Sequence, residues 1–192
     1  MTYANFKSTV KKVNIKPKGV QEIVLEINGA ELDGQLEAIA GMVDLRVNVE
    51  LDAARITYRR KFNAITEQPL TQYSVSDKGI IEVKQPEQLE LEGMPEEQVQ
   101  IEEKEVVIDR ELIDAFVMSD MAPTYEGYHK DLLDILKRRI KGESYRALAD
   151  EFEVKSSELV EQVKLYRMQV APLAEAWDKW RQESGSDASE TQ

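Results

Sequence analysis

The feature that most constrains this chain is a change of hydrophobic period near Asp109. Before it, apolar residues recur at every second position; after it, they recur every three or four. The first pattern belongs to half-buried strands and the second to amphipathic helices. Between the two regimes lies "QPEQLELEGMPEEQVQIEEKEVVI", residues 85–108, with two prolines, a glycine and a dense run of glutamates. That composition predicts a solvated linker. The expected fold class is therefore α+β. An α+β module over 1–84 is a small antiparallel sheet with one short helix. An acidic linker over 85–108 leads to a helical domain over 109–182, and 183–192 form a disordered tail.

In the first module, "VQEIVLEI" alternates Ile23, Leu25 and Ile27 with Glu22, Val24 and Glu26. Asn28-Gly29 follows, the pair favoured in two-residue hairpin turns. Upstream, Val13 and Ile15 mark a strand, with Lys16 to Gly19 as the intervening turn. Leu36, Ile39 and Ala40 share a short helical face, and Leu45, Val47, Val49 and Leu51 alternate as another strand. "ITYRRKFNAI" and "LTQYSV" flank a hairpin at "TEQP", and "GIIEV" closes the sheet.

Charge matters because it selects partners. The formal net charge is −12, but residues 82–126 alone hold 14 acidic and three basic side chains. The regions on either side are close to neutral. Cysteine is absent, which excludes disulfides and thiolate chemistry. No run of about 18 apolar residues exists to span a membrane, and the N-terminus lacks the apolar block of a secretory signal. A cytoplasmic protein is expected. His129 is the single histidine, so a two-histidine metal site is excluded. There is no glycine-rich phosphate loop or nucleophile elbow, so neither catalysis nor a cofactor is expected.

After Asp109, a candidate N-cap, Leu112, Ile113, Phe116 and Val117 form one helical face. Tyr128, Leu132, Leu136 and Ile140 form another, stopped by Gly142. Then comes "KGESYRALADEFEVKSSELVEQVKLYR", with Ser144 as a cap and Leu148, Ala149, Leu159 and Val163 as inward positions. Pro172 is expected to end this helix and open a new one carrying Leu173, Trp177 and Trp180.

"SYRALADEFEVKSSEL" resembles the helix-turn-helix superfamily over about 142–166: a Ser cap, an apolar-Ala pair, a turn and an apolar anchor. The chain also bears a similarity, carried by no particular motif, to uncharacterised phage or prophage proteins of Gram-positive bacteria. The helix-turn-helix resemblance implies that the second helix enters the major groove of double-stranded DNA. Lys137, Arg138, Arg139, Lys141 and Arg146 would then hold phosphates, with Tyr145 beside them. Lys155 and Lys164 would add charge, and Ser156, Ser157 and Gln162 would contact bases or phosphates. Two departures stand against it. Glu153 occupies the turn position usually held by Gly, and Glu158 and Glu161 fall on the groove side.

The rival reading is an adaptor or inhibitor whose acidic segment 82–126 binds a basic protein and whose helical domain is a protein-protein module. "TYRRKF" offers alternating aromatic and basic residues, suited either to stacking on single-stranded nucleic acid or to guarding a sheet edge. Trp177 and Trp180 are packing residues or, if exposed, a homo-oligomer contact.

Overall fold

The computed structural model describes residues 3–76, 81–84 and 101–186. The protein is α+β, with small antiparallel sheets and a C-terminal helical region dominated by one long helix. The sheet is not continuous: among the described residues there are three separate two-stranded sheets. The chain divides into two compact units, residues 1–50 and 51–192.

In the first unit, β1 (Thr9–Ile15) pairs antiparallel with β2 (Gln21–Glu26). Lys18 and Gly19 turn the chain at φ 69° and 76°, and the Lys16 N–H donates to the Val20 carbonyl at 2.8 Å. Lys11–Glu26 and Lys16–Glu22 pair across the strands, each at 2.9 Å. Asn28-Gly29 does not make a second hairpin. Asn28 is extended, and its side-chain oxygen caps a short 3-10 turn over Gly29–Leu32 by accepting from the Ala30 N–H at 3.3 Å. A two-residue hairpin turn of that type needs positive φ at both positions. The expected helix is α1 (Leu36–Ala40). The alternating stretch from Leu45 to Leu51 forms no strand, and among the described residues no strand pairs with it. None of the described residues 3–50 is buried.

In the second unit, β3 (Arg55–Asn63) pairs antiparallel with β6 (Ile101–Asp109). The last eight residues of the linker expected over 85–108 are thus strand, and 85–100 lie outside the described residues. The glutamates there are not simply solvated: the register sets Glu105 opposite Arg59, Glu103 opposite Lys61 and Asp109 opposite Arg55. Opposite charges at directly facing positions stabilise a strand pair. The other face of β3 turns inward, with Tyr58 buried and Arg60 tied to Glu175 at 3.2 Å and to the Thr71 carbonyl at 3.0 Å. Beyond the "TEQP" turn, β4 (Gln72–Val75) pairs with β5 (Ile81–Lys84) rather than with β3.

β6 runs directly into α2 (Arg110–Met118). Asp109 sits at the N-cap position but makes no side-chain cap bond; its carboxylate meets Arg55 at 3.3 Å. Then come α3 (Leu132–Ile140), α4 (Tyr145–Glu151) and α5 (Ser156–Ser186). Pro172 does not divide α5, which runs 31 residues through it and takes in part of the expected tail; 187–192 lie outside the described residues. An interior proline costs about 3 kcal/mol. Beyond it, Leu173 and Trp177 are buried at 7% and 6% exposure, each gaining roughly 1.5–3 kcal/mol. Burial of the downstream half therefore offsets the lost hydrogen bond. The core gathers around α5: Leu159, Val163, Tyr166 and Val170 meet Ile113 and Phe116 of α2, Ile135 and Leu136 of α3, and Leu148 of α4.

Candidate interaction surfaces

The corner between α4 and α5 is built as its sequence requires. Gly142 leaves α3 at φ 105°, a left-handed geometry that glycine adopts without strain. The Ser144 hydroxyl accepts from the Ala147 N–H at 3.1 Å and starts α4. Glu153 takes φ 55° in the turn, at a cost of about 1 kcal/mol for a residue with a Cβ. The Val154 N–H donates to the Ala149 carbonyl at 3.0 Å, and α5 begins two residues later. Leu148, Ala149, Leu159 and Val163 are all buried behind the turn.

The basic cluster before this corner faces the protein's own carboxylates. Lys137 pairs with Asp120. Arg138 donates to both oxygens of Glu143, at 2.8 and 2.7 Å, and to both oxygens of Glu151 at 2.7 Å. Those hydrogen bonds, from Glu151 first and Glu143 next, raise the Arg138 pKa; in return Arg138 holds both carboxyls below their usual range. Arg139 donates to Asp52 at 2.7 Å and to the Glu143 carbonyl at 2.9 Å, and stacks 4.6 Å from the Tyr145 ring centre. Tyr145 is itself buried. Gln162 is half-buried: its oxygen accepts from the His129 N–H at 2.9 Å, and its amide donates to Glu158 at 3.4 Å. Arg167 is buried at 5% exposure against Asp114, 2.8 Å away.

Of the residues expected to meet DNA, Lys141, Arg146, Lys155, Ser156, Ser157 and Lys164 are exposed. Exposed acids match the four cations: Asp150, Glu153, Glu158 and Glu161, the last 3.5 Å from Lys164. The start of α5 also exposes Val160 and Leu165, at 41% and 46%.

Two further surfaces lie outside that motif. Leu165 and Met168 of α5, with Tyr58, Arg59 and Glu105 of the β3–β6 sheet and Tyr128, line an open groove of about 650 Å³. Outward Leu165 between buried Val163 and Tyr166 is the sequence signal for it. In the N-terminal unit, one hairpin face aligns Val13 with Ile23 and Val10 with Leu25, beside Ile15. Val10, Val13, Ile15 and Ile23 remain 49–83% exposed.

Trp177 packs on Phe116 with ring centres 5.8 Å apart, and Trp180 lies partly buried against the same core. Trp177 is therefore a packing residue, while Trp180 keeps part of its surface exposed. Among the described residues, no helix is long and apolar enough to cross a membrane, and no group of three or more acidic or histidine side chains is placed to hold a metal ion. The chain matches no family model, no curated protein and no solved structure.

Proposed function

We propose that this protein is a non-catalytic adaptor that binds the apolar surface of another protein through its N-terminal hairpin. The observation that carries this reading is the apolar face of Val13, Ile15 and Ile23, exposed at 57%, 83% and 51% with no core of its own to cover it. A contiguous exposed apolar patch marks an interaction site. The acidic segment adds less than its composition promises. Residues 101–109 neutralise β3, so engagement of a basic partner would fall to 85–100, outside the described residues.

The test is a pull-down from the source organism's lysate with wild-type protein and with Val13→Lys plus Ile23→Lys. A stoichiometric protein retained by the first and lost by the second is expected, with the tryptophan fluorescence of the helical unit unchanged. Equal retention by both removes the hairpin from the reading.

Double-stranded DNA binding is the second reading, supported by exposed Lys141, Arg146, Lys155, Ser156, Ser157 and Lys164 on and around the turn between α4 and α5. It is the weaker of the two. Phosphate neutralisation supplies most non-specific DNA affinity, and here the four exposed cations are offset by four exposed acids while Lys137, Arg138 and Arg139 are held internally. Gel retardation of random duplex DNA at low salt, abolished by Lys155→Glu with Arg146→Glu, would reverse the order. The proposal expects no retardation.

A further inference from the structure

β3 is paired along one edge and partly open along the other. The Arg110 N–H donates to the Ala54 carbonyl at 2.9 Å, which continues the β3–β6 ladder and turns the backbone groups of the even-numbered residues of β3 toward β6. Those of the odd-numbered residues point the opposite way. At one end they are used: the Leu70 N–H donates to the Lys61 carbonyl at 2.9 Å, and the Asn63 N–H donates to the Gln68 carbonyl at 2.8 Å. Further along, among the described residues, nothing bonds the backbone N–H or carbonyl of Thr57 or Arg59, and both residues are exposed. An open strand edge is a place for strand addition.

The open groove of about 650 Å³ runs against this edge. Three consecutive residues of β3, Thr57, Tyr58 and Arg59, line it, and Leu165 and Met168 of α5 line it with them. A strand entering here presents two different sides. Side chains on the Tyr58 side meet Leu165 and Met168, so that side takes apolar residues. Side chains on the other face stand beside Arg59, with Lys61 next on the same face. Both cations are exposed, and neither closes an ion pair among the described residues. Glu105 also reaches the groove, but it belongs to β6, one strand further from an incoming chain. Facing charges act most strongly at the nearest position, so a carboxylate opposite Arg59 is favoured and a cation there is disfavoured. The same rule counts against a second copy of this edge: antiparallel pairing about Thr57 sets Arg55 against Arg59.

We infer that the open edge of β3 binds an extended segment of another protein in which apolar residues alternate with acidic ones. The groove lies wholly in the second unit, so the inference does not depend on the adaptor reading, which uses the N-terminal hairpin.

Isothermal titration of the full chain with a peptide of about seven residues, alternating valine with glutamate, tests it. Saturable one-to-one binding below about a millimolar is expected. Replacing the glutamates by lysine should weaken binding about tenfold, because attraction to Arg59 becomes repulsion. N-methylation of one alternating set of peptide amides should abolish binding and of the other set leave it unchanged, because only one set meets β3. Arg59→Glu should reverse the preference between the two peptides. Leu165→Gln should weaken binding of the glutamate peptide several-fold, with circular dichroism unchanged at this exposed position. Amide exchange at Thr57 and Arg59 should slow only when peptide is added. No saturable binding, equal binding of both peptides, or indifference to N-methylation would each overturn the inference. So would protection of the two amides without peptide: if constant, the chain itself fills the edge, and if it rises with protein concentration, a second copy does.

Discussion

Arg167 shows how far a residue's place decides its role. In the sequence it is one more cation in a charged stretch; in the fold it is buried against Asp114, with Arg110 3.4 Å from the same carboxylate. Burial pushes the Asp114 carboxyl above its ordinary range, and Arg167 and then Arg110 pull it back down. Arg167→Met removes the main counter-charge and leaves a buried carboxylate short of a partner. The expected loss is about 3 kcal/mol at neutral pH. The sign of its pH dependence follows from the raised native pKa. A carboxyl that titrates higher in the folded state takes up its proton there first, so acid relieves the penalty. Urea unfolding should show the variant's deficit shrinking as pH falls through the native Asp114 pKa. An equal deficit at pH 7 and in mild acid would mean that lost packing, not charge, causes it. The same limit on sequence reading explains the Lys137–Arg139 cluster. Asp52 lies far upstream of Arg139, and only the fold brings them to 2.7 Å.

At the level of elements, patterns short in sequence were legible. The Ser144 cap, the Gly142 stop, the turn at Lys16 to Gly19 and the inward set Leu148, Ala149, Leu159 and Val163 all rest on local geometry, and each stands where its residues place it. What was hidden needed a distant neighbour. β6 reads as a charged linker because Glu103 and Glu105 make sense only beside Lys61 and Arg59 of β3. Pro172 reads as a helix end because burial beyond it is invisible locally. The facing charges make a direct test. Glu105→Lys sets a cation opposite Arg59 and should cost roughly 0.5–1 kcal/mol. Adding Arg59→Glu restores opposite charges and should recover most of that loss. Thermal unfolding of the two single variants and the double closes the cycle; simple additivity would show that the register pair does not interact. The same pairing accounts for "TYRRKF" without a nucleic acid: its outward cations face glutamates, and Arg60 turns inward to Glu175.

For the whole molecule, composition indicated enough apolar residues for a core but not how they divide. At 42% hydrophobic, the chain builds its buried cluster entirely from Tyr58 onward, while the unit 3–50 buries none of its residues. The difference lies in what the elements can cover. α5 offers apolar side chains around much of its circumference to α2, α3, α4 and two sheets. A two-stranded hairpin with a five-residue helix has one apolar face and too little chain to sheath it, and an isolated hairpin is marginal in water. Stability should therefore be unequal along the chain, since local opening free energy follows burial. Native-state hydrogen exchange is expected to find the amides of Tyr166 to Val170 opening only with global unfolding. Those of β1 and β2 should exchange through local openings of at most a few kcal/mol, and should slow when the hairpin face is occupied. Exchange of the hairpin at the global rate in the isolated protein would show that its apolar face is already covered, and the adaptor reading would lose the surface it stands on.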